Sequence, residues 1–361
     1  MDSRERTFLA LDHQAGDRIP IDFWASRSMI AKIERDLGLG YEAFLDRYDV
    51  DLRYIPGPAY IGPPLEDGRD IWGVRRARIE VEVPGGTESY SEVAESPLAA
   101  MESIEQIEAY AGWPSPDDFD YSLVEAQCDA IRAERRVVVF MGDRLNRVAQ
   151  LKPAMYLRGL EQAFTDLALH PEMAQATLTK IRAFYLAYLE RILDAAQGKI
   201  DIVLTGDDFG SQKGLLISPD AWRVYIRPGF AAYVDLIQSY DAIAMHHTCG
   251  SVVDLIPDLI DCGLDVLQSI QPEAAGMSPA DLKARYGRAL CFHSGISIQR
   301  TMPFGTPDEV CQAVREIAEV FGSDGGYIFG TAHNIQADTP VENVLALLNA
   351  YHTYGRHGGA V

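Results

Sequence analysis

The stretch AMHHTCGSVVDLIPDLIDCG, residues Ala244 to Gly263, contains the unit from which the fold is read. Its first residues end the apolar run AIAMHH, a strand pattern. A short turn follows, and from Val252 onward the apolar residues recur at helical spacing. Two histidines and a cysteine, His246, His247 and Cys249, stand where the strand gives way to the turn.

The same unit recurs outward in both directions. Strand patterns fall at Arg18–Trp24, Asp51–Pro56, Arg136–Asp143, Asp201–Asp208, AIAMHH, Asp265–Ile270, Ala289–Gly295 and Gly325–Gly330. Nearly every one is followed by an amphipathic segment. Helices are expected near Met29–Leu37, Tyr41–Tyr48, Ser103–Tyr110 and Leu123–Ala133. A long one should start at Pro171 and be capped at Gly198. Thr306 with Glu309, and Thr339 with Glu342, have the spacing of capping boxes. Eight strands alternating with helices predict the α/β class and a (β/α)8 TIM barrel with N-terminal helices, with residues 1–361 as a single domain. A doubly wound sheet is the alternative. It would need an early glycine-rich phosphate loop, and the nearest match, PGGTES, lies in a hairpin turn. That hairpin is read as an insertion at about 69–93, placed to cover a site or to serve a homodimer contact.

Composition narrows the function. The chain has 361 residues, 47% hydrophobic and 24% charged, enough for a sizeable core. A formal net charge of −21 repels nucleic acid and anionic membrane, so neither is an expected partner. The first residues lack the apolar run of a signal peptide, and no stretch is long and apolar enough to span a bilayer. Five scattered cysteines suit a reduced cytoplasm better than a disulfide framework.

Barrel enzymes build their sites where the strands end. Those ends carry Trp24, Tyr54, Asp143, Asp207, Asp208, His246 to Cys249, Gln271, His293, His333 and Asn334. His247 and Cys249 are two apart, so an extended chain points both to one side, where they could share a zinc ion at about 2.0–2.3 Å. His333 is the candidate third ligand. A lone His-x-Cys is equally explained by a core histidine beside a small buried cysteine. His246, out of phase, reads as structural, and Cys262 as core filler. His293 is balanced between site wall and core. Asp207 and Asp208 could cap a following segment, but a catalytic role is favoured for at least one. Trp24 and Tyr54 read as pocket wall.

The run HHTCGSVVDLIPDLIDCGLDVLQSIQPEAAGMSPADLKARYG, followed by PFGTPDEV and GGYIFGTAHNIQADTPVENV, resembles the uroporphyrinogen decarboxylase superfamily. ALDHQAGDRIPIDFW resembles its opening strand. The resemblance implies a (β/α)8 barrel and one of two chemistries. True uroporphyrinogen decarboxylases carry an Arg-Gln-Ala-Gly-Arg loop after the first strand, and here the place reads WASRS, with only Arg27 left to hold a carboxylate. The other branch, zinc-dependent cobalamin-linked methyltransferases, uses a His-x-Cys pair and a later Cys. His247 and Cys249 match the pair, and His333 stands in place of the last Cys. The resemblance therefore implies Zn2+ on His247, Cys249 and His333, with Asp208 or Glu273 as a labile fourth ligand. It implies Asn334 and Gln336 as polar contacts, cobalamin or a corrinoid protein as methyl carrier, and a thiol or tetrahydrofolate as acceptor. With a folate, Asp208 could handle the pterin proton. The competing expectations are a metal-free decarboxylase relying on Arg27 and Asp207, and a barrel that binds a corrinoid without turnover.

Overall fold

The computed structural model describes residues 1–83, 86–142, 147–322 and 324–356. Asp143 and the Pro84-Gly85 turn, both singled out in the sequence, lie outside the described residues. The strands are β1 (Leu52–Ile55), β2 (Ala59–Tyr60), β3 (Arg75–Val83), β4 (Gly86–Glu95), β5 (Phe119–Asp120), β6 (Val137–Phe140), β7 (Ile202–Gly206), β8 (Ile243–His247), β9 (Val266–Gln268), β10 (Cys291–His293) and β11 (Tyr327–Ile328). Seven of them form one curled parallel sheet in the order β1-β6-β7-β8-β9-β10-β11. β3 and β4 form a separate antiparallel hairpin, in the region read as an insertion.

The first expected strand is the exception. Pro20 has no N–H, so Arg18–Trp24 and the next residue make only isolated bridges, Arg18 to Arg356, Ile21 to Phe329 and Ala25 to Ile335. It still occupies the eighth place. The Asp22 N–H donates to the Phe329 carbonyl at 2.9 Å, and the Asp51 N–H donates to the Ile21 carbonyl at 2.9 Å. The segment thus links β11 to the residue just ahead of β1, in a TIM-barrel-like α/β fold.

The ring has an apolar interior. Leu52, Val137, Val139, Ile202, Leu204, Met245, Val266, Cys291 and Ile328 form a buried cluster apart from the main core. A larger cluster packs the helices against the outside of the sheet. Strand side chains alternate, so the residues two positions on point inward too. They are Tyr54, Met141, Gly206, His247, Gln268, His293 and Gly330. The interior therefore changes, one layer up, from hydrocarbon to polar groups, and that layer is where the site lies.

The long helix begins at Pro171 and ends at Ala196, and Gln197 rather than Gly198 is its left-handed cap. The Thr306–Glu309 capping box is formed. The second expected box is not: the last helix starts at Val341 behind Pro340, without a side-chain cap. Among the described residues no helix is long and apolar enough to cross a membrane.

Candidate functional site

β7, β8, β9 and β10 run in register, so Gly206, His247, Gln268 and His293 lie side by side. His247 ends β8 and is 2% exposed. Its Nδ1 lies 2.9 Å from Gln268 Oε1. An amide oxygen can only accept, so Nδ1 carries the proton and Nε2 keeps its lone pair. Nε2 lies 3.3 Å from Cys249 Sγ.

The turn that presents Cys249 is held tightly. The Cys249 N–H donates to Asp208 Oδ1 at 3.1 Å, and the Phe209 N–H donates to Thr248 Oγ1 at 3.0 Å. Gly250 has φ +82°, and a Cβ there would come within 2.6 Å of the Gly210 backbone, so only glycine fits. Gln271, expected to touch substrate, instead accepts the Gly250 N–H at 3.0 Å and braces this turn.

His333 reaches the same place from the loop after β11. Its ring centroid is 5.3 Å from that of His247 and 5.1 Å from that of Trp24. One ligand atom each from His247, Cys249 and His333 fall within 4.8 Å of one another. Ligand atoms on a tetrahedral zinc sit about 3.3–3.8 Å apart, so the set fits after a contraction of about 1 Å.

The electrostatics favour uncharged donors. Burial pushes the His247 and His333 imidazoles below their usual range and keeps both neutral. Burial, then nearby Asp208, pushes the Cys249 thiol up to about 12. Such a thiol binds a cation by giving up its proton to it. The His333 ring has the Asn334 side chain as its polar neighbour. The donor set therefore suits zinc.

Asp208 and Lys152 form the charged wall. Their ion pair is 2.5 Å long, and Asp208 Oδ1 is 3.9 Å from His247 Nε2. Burial disfavours the Asp208 carboxylate, but the Lys152 ammonium outweighs it and holds the group below its ordinary range. Glu273, the other proposed fourth ligand, accepts a hydrogen bond from Ser297 instead.

Asp207 corrects the sequence reading. Its carboxylate accepts from the backbone N–H groups of Gln150, Leu151 and Lys152 at 2.6–2.7 Å. It caps the helix Leu151–Arg158, far upstream in the chain, and is not available as a catalytic acid. Burial pushes it up to about 6 against those three donors. Ser26 caps the helix Arg27–Leu37, and Arg27 stands exposed on its first turn. His246 faces the outside of the sheet, with Nδ1 2.7 Å from Thr205 Oγ1 and its ring stacked on Phe209.

His293 is buried inside the ring in a set that the sequence did not reveal. Asp22 Oδ2 lies 2.9 Å from His293 Nε2 and accepts the Tyr54 hydroxyl at 2.5 Å. Burial and Asp22 push the Tyr54 phenol well up. Arg147 was also missed. Its guanidinium lies over the Trp24 ring at 5.5 Å, and its side chain fills the space that Gly206 leaves. The Asn334 side chain lies beside the His333 ring, and Gln336 Oε1 accepts the Tyr90 hydroxyl at 3.0 Å.

A parallel barrel whose inner top layer joins neutral histidines to a cysteine defines a class of barrel enzyme with a metal-competent mouth. Comparison with known proteins makes this particular. Residues 87–354 match the family described as uroporphyrinogen decarboxylase (URO-D), and the chain belongs to that family. It is 30% identical over 77 residues to a uroporphyrinogen decarboxylase of Actinobacillus succinogenes, covering 21% of each chain. It is 22% identical over 190 residues to that of Coxiella burnetii, covering 51% of this chain and 48% of the other. The alignments span half or less of these curated relatives. Among solved structures, a methyltransferase from Methanosarcina mazei shares the fold at a TM-score of 0.68 and 17% identity, over 98% of this chain and 99% of that one.

Proposed function

We propose that the chain, one domain over residues 1–361, is a methyltransferase of this family that moves a methyl group between a corrinoid and a zinc-activated thiol or a folate, in O- or N-demethylation. The observation that carries the reading is the convergence of His247, Cys249 and His333 within 4.8 Å. The alternative reading, a lyase acting on a carboxylate substrate, would rest on Arg27, which stands exposed on the first turn of the helix Arg27–Leu37.

In this reading His247, Cys249 and His333 would hold zinc. Bound there, zinc would supply Lewis acidity that turns a thiol into its thiolate at neutral pH. The residues of the chain do the rest. Gln268 holds the His247 proton on Nδ1, and the Asp208 carboxylate holds the Cys249 turn. The Asp208–Lys152 pair keeps a carboxylate ionised beside the cluster, where it can accept a hydrogen bond from an incoming thiol or from a pterin nitrogen. Trp24 walls the rings off from water, and Asn334 offers an acceptor to the bound molecule. The methyl carrier is cobalamin or a corrinoid protein, the partner is not a nucleic acid or a membrane, and the compartment is the cytoplasm. A homodimer is the proposed assembly.

The test is metal content by mass spectrometry of protein purified without chelator, for the wild type and for Cys249→Ala combined with His333→Ala. About one zinc per chain, lost in the double variant, supports the reading. A panel of thiols and folates with methylcobalamin then identifies the acceptor. Metal-free wild type after zinc supplementation overturns the reading.

A further inference from the structure

The β3–β4 hairpin stands largely in solvent. Nearly every β3 residue is exposed, including Ile79 and Val81 at 46% and 44%. In β4, however, Glu88 is only 3% exposed. Among the described residues no basic group pairs with it. A buried carboxylate without a cation is costly to desolvate, and hairpin pairing does not require one.

Its partners explain it. Glu88 Oε1 accepts the Ser26 hydroxyl at 3.0 Å and the Ala337 N–H at 2.6 Å, and Oε2 accepts the Ser28 hydroxyl at 2.8 Å. Ser26 and Ser28 lie just after Trp24, and Ala337 lies four residues after His333. These two loops are already zipped together, with the Ser26 N–H on the Ile335 carbonyl at 2.8 Å and the Ile335 N–H on the Trp24 carbonyl at 2.9 Å. Two further contacts work on the same loop. The Tyr90 hydroxyl donates to Gln336 Oε1, and Lys32 Nζ donates to the carbonyls of Ala337 and Thr339, each at 2.9 Å. The hairpin therefore touches, through one carboxylate, both segments that present aromatic rings to the His247 cluster.

We propose that Glu88 is a positioning residue that makes docking of the hairpin and placement of the His333 loop a single equilibrium. The loop half of this inference stands on the contacts above, and the zinc half rests on the metal reading of the preceding section. Because coupling is reciprocal, metal bound at His333 must tighten the hairpin as much as the docked hairpin tightens the metal. The hairpin would then close over the mouth in step with loading of the site.

The experiment compares the wild type, Glu88→Ala, Glu88→Gln and Tyr90→Phe, with thermal melting as a check on folding. Amide hydrogen exchange of metal-free protein reads the loop directly. In Glu88→Ala the amides of residues 333–339 should lose protection, while the barrel strands keep theirs. Glu88→Gln, which keeps an acceptor for Ser26 and Ala337, should recover most of the protection. Zinc affinity, measured by competition with a chromophoric chelator, should fall about tenfold in Glu88→Ala and less in Tyr90→Phe. Proteolysis of the hairpin in the wild type should slow when zinc is added. Unchanged exchange at 333–339 in Glu88→Ala overturns the positioning role, whatever the metal result. Loss of protection with no zinc bound by the wild type overturns the metal reading and leaves the loop clamp standing. Should Glu88→Ala fail to fold, Tyr90→Phe, which removes one exposed-side hydroxyl, decides by the same two readouts.

Discussion

Replacing Gln268 by leucine tests the geometry of the site at one atom. Leucine fits the same space and removes the acceptor that faces His247 Nδ1 at 2.9 Å. The imidazole is then left with two poor choices. If the proton stays on Nδ1, a buried N–H has no partner, which costs about 1–3 kcal/mol. If it moves to Nε2, it occupies the lone pair that faces Cys249, and the same cost falls on metal binding. At about 1.4 kcal/mol per tenfold, zinc affinity should drop about 5- to 150-fold. Gln268→Glu keeps the acceptor and should bind zinc at least as tightly as the wild type. Chelator competition measures both, with denaturant unfolding as a control for stability. An affinity in Gln268→Leu within twofold of the wild type would refute the claim that Gln268 fixes the tautomer.

Three further results are expected. Asp207→Asn replaces one accepting oxygen with an amide that faces backbone N–H groups, so stability should fall by about 1–2 kcal/mol with zinc content intact; lost zinc at full stability would restore Asp207 to the site. A Cβ at Gly206 would lie 2.4 Å from Arg147 Cδ, so Gly206→Ala should cost about 1–3 kcal/mol in a denaturant melt, and much of that loss should vanish in the Arg147→Ala background. The hydrogen bond from Arg6 holds the Asp17 carboxylate down at about 2 from 3.8. A depressed carboxylate stabilises above its unfolded value and stops doing so as pH falls through about 2. Asp17→Asn should therefore lower stability at pH 6, by less than about 1 kcal/mol because the side chain is 44% exposed, and the difference should vanish only below about pH 2. A difference that persists unchanged in acid would count against the pair.

The barrel was legible because its signal is repetitive. Each strand ends in a change from β-branched to polar residues, and each helix restarts the apolar spacing, so eight places could be counted without knowing any contact. The segment Arg18–Trp24 kept its place in that count even though Pro20 denies it a regular ladder. The metal-competent trio was legible for a related reason, since His247 and Cys249 are two apart and His333 follows the last strand. Its support was not. Gln268, Lys152 and Asp22 act through partners 21, 56 and 271 residues away, and nothing local marks them. Gln268 did have a signal: it is two positions past the interior Val266, the same phase as His247 past Met245. Gln271 was chosen from that strand end instead, three residues too late and out of phase. Asp207 and Asp208 were adjacent acids that sequence could not separate, and only the helix start at Gln150–Lys152 assigns one to architecture and the other to the site.

The nine apolar side chains beneath the polar layer also set the traffic through the site. Strands rise about 3.3 Å per residue, so the sealed layer lies about 7 Å below His247 and closes the ring from beneath. Anything that reaches the cluster enters by one doorway. Two reactants that must meet there cannot come from opposite sides, so the smaller has to be seated before the bulkier one stands over it. Steady-state kinetics should then follow an ordered sequential scheme, with the acceptor first and the methyl carrier second. Product-inhibition patterns would show that order, and parallel double-reciprocal lines would contradict it.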